Sequence, residues 1–304
     1  MSKKIKLYWY QHREGHGNFG DELNPYIIER LTGSEIQWTS AYNGSRWNSL
    51  RTLAYLILKE HYNFKKIRKS SAWQKFFNQP VIFSIGSIIH NCDTNVKVWG
   101  SGIISSNKFI PEAQFLAVRG KYTAKRLVNL GYKAPKSLGD PALLLPLVFN
   151  GNNTKKFKIG IIPHYIHYEE LKKLNCSEVK VINLLDSIEK IIDDIGLCEV
   201  TISTSLHGVI VSHCYKVPSL WVDFEIDIKL TGDNIKFADY FSSVDLKEYF
   251  PFKIDKNYFD LKTIENLFSA NTELTLPKKE KIVQIQRSLL SCAPFEILPK
   301  YKTS

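Results

Sequence analysis

The 304-residue sequence lacks several patterns by which classes of protein are identified. Its five cysteines are scattered and never stand at Cys-x-x-Cys spacing. This distribution argues against a disulfide framework or a zinc site and is typical of reduced thiols in a cytoplasmic protein. No segment contains about 18 consecutive apolar residues, so no membrane-spanning helix is predicted. The basic N-terminus runs directly into an alternating apolar segment, which is not the pattern of a secretory signal.

Common phosphate-binding and nucleophile signatures are also missing. The sequence contains no Walker A, Gly-x-Gly-x-x-Gly or Gly-x-Ser-x-Gly pattern. His164 and His167 follow an apolar run, but residues 159–167 contain no Asp or Glu. A metal site is therefore not predicted, and no cofactor is expected.

Acidic residues are in the minority. The chain has 30 Asp and Glu against 41 Lys and Arg, a formal net charge of +11, which favours anionic partners. Much of this excess lies in residues 45–79, where Glu60 is the only acidic residue. Basic and aromatic residues are interleaved there: Arg46, Trp47, Arg51, Tyr55, Lys59, Tyr62, Phe64, Lys65, Lys66, Arg68, Lys69, Trp73, Lys75, Phe76 and Phe77.

Three interpretations of segment 45–79 remain open. It forms a solvated helical surface over a local core, or a surface that docks on anionic lipid. The third interpretation is nucleic-acid binding, although no recognised nucleic-acid motif accompanies the charge.

Strand-like and helix-like segments alternate along the chain. Strands are predicted at residues 4–10, 81–85, 96–99, 115–118, 136–138, 158–162, 179–183, 199–203 and 219–222. Helices are predicted at residues 21–31, 121–130, 169–174, 187–196, 207–215, 263–268 and 278–290. This alternation predicts an α/β protein with a parallel sheet in each half, and ligand sites at the carboxyl ends of the strands. Two such Rossmann-like lobes facing each other would form a central cleft.

A change of composition near residues 147–157 marks the best boundary. Asn, Gly and Lys cluster there between apolar segments, which is typical of a linker. We therefore expect an N-terminal lobe over residues 1–150, a C-terminal lobe over 151–245 with a ligand site, and a helical segment over 246–304.

The segment Thr201–Ser212 carries the strongest local signal for a site. A predicted strand ends in small hydroxyl residues, and His207 and Gly208 then open an apolar helix. Free N–H groups and the positive dipole end make such a helix start an anion site, with His207 able to face the cleft. The alternative is that Ser205 only caps the helix and His207 packs.

Two further segments follow predicted strands. In residues 16–24, glycines permit close approach to a ligand and Asn18 and Asp21 offer polar groups, although Asp21 could simply cap a helix. Arg119 follows the strand at 115–118 and could grip a carboxylate or phosphate, or form a surface ion pair. Asp140, in a Gly-Asp-Pro turn, could also face the cleft.

Taken in order, these segments resemble the polysaccharide pyruvyl transferase family over about residues 5–245. The resemblance is carried by Asn18-Phe-Gly-Asp-Glu22, Gly100-Ser-Gly102, Val118-Arg-Gly120, Gly139-Asp-Pro141, Gly160-Ile-Ile-Pro-His164, Ser205-Leu-His-Gly208, His213 and Val217-Pro218. Members of this family transfer pyruvate from phosphoenolpyruvate to sugar hydroxyls as a ketal, and their fold resembles the two-lobed GT-B glycosyltransferases. The resemblance implies phosphoenolpyruvate as co-substrate and no other cofactor.

The resemblance also implies roles for individual residues. His207 becomes the acid/base candidate, because histidine titrates near neutral pH, with Asp21 as a second catalytic candidate. Some members of the family carry arginine where this chain has Ser205, so Arg119 and Lys236 are expected to supply the positive charge. The expected substrate-binding set is Arg119, Ser205, Leu206, Gly208, Asn18, Gly20, Gly100, Ser101 and Lys236.

The acceptor is expected to be a sugar of a capsular, exopolysaccharide or wall polymer precursor, carried on a lipid. That expectation places the enzyme in the cytoplasm, either free or as a peripheral protein at the inner face of the membrane, with no nucleic-acid partner. Two other functions stay open: a glycosyltransferase that uses a nucleotide-sugar, and a non-catalytic family member that acts as a binding or scaffold protein.

Overall fold

Two parallel β-sheets form the framework of the protein. A computed structural model describes residues 4–11, 17–39, 46–58, 60, 63–70, 72–73, 80–226 and 233–302. The first sheet has the strand order β2-β1-β3-β4-β5-β6 and the second has β11-β10-β9-β7-β8. All neighbouring strands run parallel. The predicted α/β class with a parallel sheet in each half is confirmed, whereas the arrangement of two lobes around a cleft stays a prediction.

The first sheet lies within residues 5–138. Its strands are β1 (Ile5–Tyr8), β2 (Ile36–Trp38), β3 (Val81–Phe83), β4 (Val96–Trp99), β5 (Gln114–Val118) and β6 (Ser137–Leu138). The associated helices are α1 (Phe19–Thr32), α2 (Arg46–Leu58), α3 (Phe64–Lys69) and α4 (Lys121–Asn129). The chain passes from β1 to β2 on one side and then to β3 on the other, so the strand order reverses beside β1. Ligands bind preferentially at such a reversal, beyond the carboxyl ends of the strands.

The second sheet lies within residues 157–253. Its strands are β7 (Phe157–Ile162), β8 (Val179–Val181), β9 (Cys198–Ser203), β10 (Ser219–Asp223) and β11 (Phe252–Lys253). The helices from residue 145 to 243 are α5 (Leu145–Val148), α6 (Tyr168–Leu171), α7 (Ile188–Gly196), α8 (Leu206–Cys214) and α9 (Ile235–Ser243). Here β8 and β9 flank β7, so the order reverses between β7 and β9, and α8 begins directly after that point.

Helix α1 begins earlier than the sequence predicts. Its start at Phe19 places Pro25 inside the helix, not in the first turn. Proline has no N–H, so the carbonyl of Asp21 loses its helical donor. The side-chain amide of Asn24 donates to that carbonyl at 3.0 Å and replaces the lost bond. A proline is therefore tolerated here because its neighbour supplies the missing hydrogen.

The C-terminal segment returns to the first sheet. It contains α10 (Leu261–Ala270), α11 (Thr272–Thr275) and α12 (Lys279–Ser291). The indole N–H of Trp99, at the end of β4, donates to the Leu289 carbonyl at 2.9 Å, and Gln286 donates to the Leu143 carbonyl at 2.7 Å. One hydrophobic core joins residues of α1, α8 and α12. Helix α12 thus packs on the first sheet, although the second sheet is nearer to it in sequence. The domain boundaries expected at residues 150 and 245 stay predictions.

Segment 45–79 contains two helices over a small core. Leu53, Ile67 and Ala72 are buried there, with Trp73 packed against them. Lys59, Tyr62, Lys75, Phe76 and Phe77 lie outside the described residues, as do the side chains of Arg46, Trp47 and Lys69. The local core predicted for this segment, as part of a solvated helical surface, is confirmed. None of the helices in the described ranges is long and apolar enough to cross a membrane.

Candidate active site

The first part of the site is the N-terminal turn of α1. The Asn18 side-chain oxygen accepts the backbone N–H of Asp21 at 3.3 Å and caps the helix. Asp21 itself is buried, and removal of water from its carboxylate raises its pKa to about 6, although the nearby His207 partly opposes this rise. A carboxyl group that titrates close to neutral pH can exchange protons with a substrate. Asn18 is the helix cap, whereas Asp21 is a titratable group beside His207.

The second part of the site is the start of α8. The hydroxyl oxygen of Ser203, at the end of β9, accepts the backbone N–H of Ser205 at 3.0 Å. Ser205 occupies the N-cap position but its side chain makes no capping bond, so the capping role considered from the sequence is absent. Gly208 lies so close to Ser203 that a Cβ would fall 2.3 Å from the Ser203 oxygen. The first turn is therefore fixed against β7 and β9, and its N–H groups are without a side-chain cap.

His207 connects the two sheets. A Cβ on Gly20 would lie 2.0 Å from its Nδ1, so the imidazole packs directly on the backbone of α1. Its Nε2 lies 3.6 Å from Oδ2 of Asp140, in the loop after β6. The Asp140 side chain is fully buried and that of His207 is 14% exposed. Loops at the carboxyl ends of β1, β6 and β9 thus meet at one histidine.

The sequence did not predict the contact between Asp140 and His207. Asp140 Oδ1 accepts the Ala142 N–H at 3.0 Å. Within the described residues, Asp140 Oδ2 and His207 Nε2 both lack a hydrogen-bond partner. A buried carboxylate oxygen without a donor is costly, and His207 Nε2 lies 3.6 Å from it. The Gly-Asp-Pro turn after a predicted strand indicated that Asp140 could lie in the site. Its contact with His207 depends on the fold and could not be predicted from the sequence.

Arg119 occupies an unexpected environment. Its side chain is fully buried, and Nε donates to Asp239 Oδ2 at 3.0 Å. The other two nitrogens donate to Ser87 Oγ and the Ile103 carbonyl, each at 2.7 Å. A buried ion pair replaces the surface ion pair considered from the sequence. Arg119 positions the loops after β3 and β4 against α9, and its direct contact with an anion stays a prediction.

Lys236 provides a more accessible cation. It lies one residue into α9, and burial together with the charge of Arg119 lowers its pKa to about 8. Its ammonium lies 5.6 Å from the centre of the Phe237 ring, and it forms no ion pair with an acid in the described part of the chain. The positive charge of Arg119, which helps to lower this pKa, also favours the binding of an anion nearby.

Gly100 and Ser101 shape the loop after β4. Gly100 has φ of 97°, and a Cβ there would lie 2.2 Å from the Pro141 ring. The Ser101 hydroxyl donates to the Gly86 carbonyl at 2.9 Å. Both residues thereby hold neighbouring loops close to Asp140. Their contact with substrate, and that of Leu206, stays a prediction.

The predicted site residues fall into two groups in space. Gly20, Asp21 and His207 meet Asp140 at the carboxyl ends of the strands. Lys236 and Arg119, of which the latter is paired with Asp239, form a second, cationic group. Sequence reasoning missed Ser87 and Asp239 as partners of Arg119, and no local pattern could have revealed a contact across 120 positions.

Comparison with known proteins found a matching family and a similar viral protein. The family model described as polysaccharide pyruvyl transferase matches residues 18–225. The match includes both helix starts, Arg119 and Asp140, and ends before Lys236. A protein of Acanthamoeba polyphaga mimivirus, described as uncharacterized protein L143, is 28% identical over 234 residues, which is 74% of this chain and 70% of the viral protein.

Proposed function

Because the chain belongs to the polysaccharide pyruvyl transferase family, we propose that it transfers a pyruvyl group from phosphoenolpyruvate to two hydroxyls of one sugar. The acceptor in this proposal is a saccharide precursor of a capsule, exopolysaccharide or wall polymer. The observation that carries the proposal is the group formed by Asp140, His207 and Asp21, where two sheets meet.

The reaction requires a proton donor and a proton acceptor. Addition of a proton to the methylene carbon of phosphoenolpyruvate leaves a cation at C2, and one sugar hydroxyl attacks it and loses its proton. The second hydroxyl then attacks C2 as the carbon–oxygen bond to phosphate breaks. Of the two hydroxyl protons, one replaces the proton given to the methylene group and the other leaves with inorganic phosphate. The products are the cyclic ketal and phosphate.

His207 has the position that this chemistry needs. Its first-turn location on α8 brings the imidazole next to uncapped backbone N–H groups. Asp140 is buried 3.6 Å away, so its carboxylate would hold the ring in one orientation. Asp21, with its pKa of about 6, would accept the proton of the attacking hydroxyl. His207 and Asp21 thus divide the proton transfers, and Asp140 positions His207.

The donor carries a carboxylate and a phosphate. The start of α8 offers N–H groups and the positive dipole end to one of these anions. Lys236 would hold the other, since Ser205 supplies no charge. Arg119 contributes through space to the same positive region, while its guanidinium stays bonded to Asp239.

Turnover with purified protein tests this proposal. Phosphoenolpyruvate and a panel of saccharide precursors should give inorganic phosphate and ketal in equal amounts, and His207→Ala should abolish both. A melting temperature raised by a nucleotide-sugar and not by phosphoenolpyruvate would support a glycosyltransferase instead. Binding of phosphoenolpyruvate or saccharide without turnover of any acceptor would favour a non-catalytic family member.

A further inference from the structure

The outer face of α2 and α3 exposes large apolar side chains. Leu50, Ile57 and Leu58 are 39%, 51% and 71% exposed. Spacings of seven and eight residues place them on one side of α2, flanking the buried Leu53. Phe64, at the start of α3, is 63% exposed. Single exposed apolar residues are ordinary in soluble proteins, whereas a contiguous group points to a contact surface.

A cationic pocket adjoins this face. It has a volume of about 300 Å³, and its lining includes Lys4, Lys6, Lys65 and Arg68. The Lys4 ammonium pairs with the Glu35 carboxylate. Lys6 and Gln37 are register partners on β1 and β2, so the pocket lies over one face of these strands. Lys6, Lys65 and Arg68 around one cavity make a site for a phosphate.

Aromatic side chains form one wall of the pocket. The rings of Phe64 and Trp73 meet edge to face, with centroids 5.5 Å apart, and Arg68 lies 5.8 Å from the centre of the Phe64 ring. Aromatic rings with cations at their edges favour the boundary between lipid headgroups and acyl chains. Aliphatic residues such as Ile57 and Leu58 gain free energy in that boundary but contribute nothing to the stacking or phosphate contacts that nucleic acid offers.

We propose that α2 and α3 dock on an anionic lipid surface. Lys6, Lys65 and Arg68 hold a lipid phosphate in the pocket, and Leu58 and Phe64 enter the acyl boundary. Positive charge complements the anionic headgroups, and the exposed apolar face complements the layer beneath them. The proposal does not rest on pyruvyl transfer, because it concerns residues that have no part in the site at His207.

Co-sedimentation of the full chain with vesicles tests the proposal. Vesicles of phosphatidylcholine and phosphatidylglycerol should bind the protein, vesicles of phosphatidylcholine alone should bind it weakly, and added salt should reduce the binding. Equal binding to both vesicles, or binding that does not respond to salt, would overturn the proposal.

Paired variants locate the surface. Lys65→Glu with Arg68→Glu should weaken vesicle binding at least about tenfold. The matched control is Lys279→Glu with Arg287→Glu on α12, which makes the same change of charge and should leave binding unaltered. Ile57→Ser with Leu58→Ser should also weaken binding, whereas Val128→Ser, at another exposed apolar position, should not.

The remaining outcomes are also decisive. Equal losses in the control and test variants would show attraction by net charge alone and refute a defined surface. Retention of a single-stranded oligonucleotide in preference to the anionic vesicles would assign the segment to nucleic acid. Unchanged melting temperatures of all variants confirm that lost binding is not lost folding. Vesicle binding needs no turnover, so this result is independent of the test of pyruvyl transfer.

Discussion

Asp140 gives His207 a fixed electrostatic partner. Its free oxygen lies 3.6 Å from Nε2, and the carboxylate is completely buried. A buried carboxylate at this distance is placed to hold the imidazole in one orientation. The position of His207 in the sequence alone does not reveal this partner.

Asp140→Asn should reduce kcat/KM for pyruvyl transfer by about 100-fold or more. The amide would not hold the imidazole in the orientation that the carboxylate sets. Measurement of kcat/KM tests this effect. Asp186→Asn, the same change at an acid near α7, is the control. An unchanged kcat/KM in Asp140→Asn would exclude the orienting role.

Burial of the Asp21 carboxylate lowers the stability of the fold at neutral pH and makes the group suited to proton transfer. Unfolded Asp21 releases its proton near its ordinary pKa of 3.8, whereas the folded chain retains it to about 6. Between these values the folded state binds more protons. The contribution of Asp21 to stability is thus fully present below pH 3.8 and is lost as the pH rises through about 6.

Asp21→Asn should consequently be more stable than the wild type at neutral pH, by ~1–3 kcal/mol in the free energy of unfolding. The same variant should lose most of its activity, because the amide cannot accept a proton. Urea unfolding at acidic and neutral pH, beside phosphate release, tests the pair of effects. A variant that is destabilised at neutral pH, or that keeps full activity, would contradict this account.

At the scale of elements, α1 and α8 meet through Gly20. Alanine is a better helix former than glycine by about 1 kcal/mol, so the chain forgoes some helix stability at this position. The reason is steric, because a Cβ would occupy the place of the imidazole. Glycine here keeps His207 in reach of Asp140.

Gly20→Ala should leave the melting temperature close to that of the wild type and reduce activity at least about tenfold, because displacement of the imidazole by about 1 Å is enough to disturb catalysis. Phosphate release and thermal unfolding measure the two properties. Glu29→Ala, on an exposed position of the same helix, should change neither. Full activity in Gly20→Ala would mean that His207 does not need this position.

The periodicity of the sequence predicted most elements of the two sheets to within two residues. Strand β4 was predicted with its observed bounds, Val96–Trp99, because apolar residues at a buried strand leave a clear local pattern. Strands β2 and β11 and helices α2, α3, α5, α9 and α11 were not predicted with bounds. In α2 the pattern is obscured, since apolar residues occupy both the buried and the exposed sides.

The site could be predicted from the sequence only in part. Ser205, His207, Asn18 and Asp21 were found because loops after strands carry polar groups at fixed places. The partners of Arg119 and His207 come from distant segments, so their geometry depends on strand order and packing. The start of α1 was misjudged for a related reason: the Asn24 amide compensates for Pro25, and propensity does not include such a bond.

At the scale of the whole molecule, the pair formed by Arg119 and Asp239 joins β5 to α9. Asp239 also accepts the backbone N–H and the hydroxyl of Thr123, at 2.9 and 2.7 Å. The pair is completely buried, so loss of one partner leaves an uncompensated charge in the interior.

Asp239→Asn should lower the free energy of unfolding by about 3–5 kcal/mol. Addition of Arg119→Met should restore much of this loss, since it removes the charge while the amide oxygen introduced at position 239 still accepts the Thr123 N–H. Chemical denaturation of the single and double variants measures the coupling. The double variant also tests the anion role of Arg119: an unchanged KM for phosphoenolpyruvate would assign the arginine to structure alone.

The return of α12 to the first sheet has a consequence for the order of events during synthesis. Trp99 and Leu143 are made early, but the atoms that pair with them belong to Leu289 and Gln286. On the ribosome, the first sheet must wait for nearly the whole chain before its core can close. Until then its apolar edge is available to a chaperone, and a premature stop after the second sheet would leave that edge permanently open.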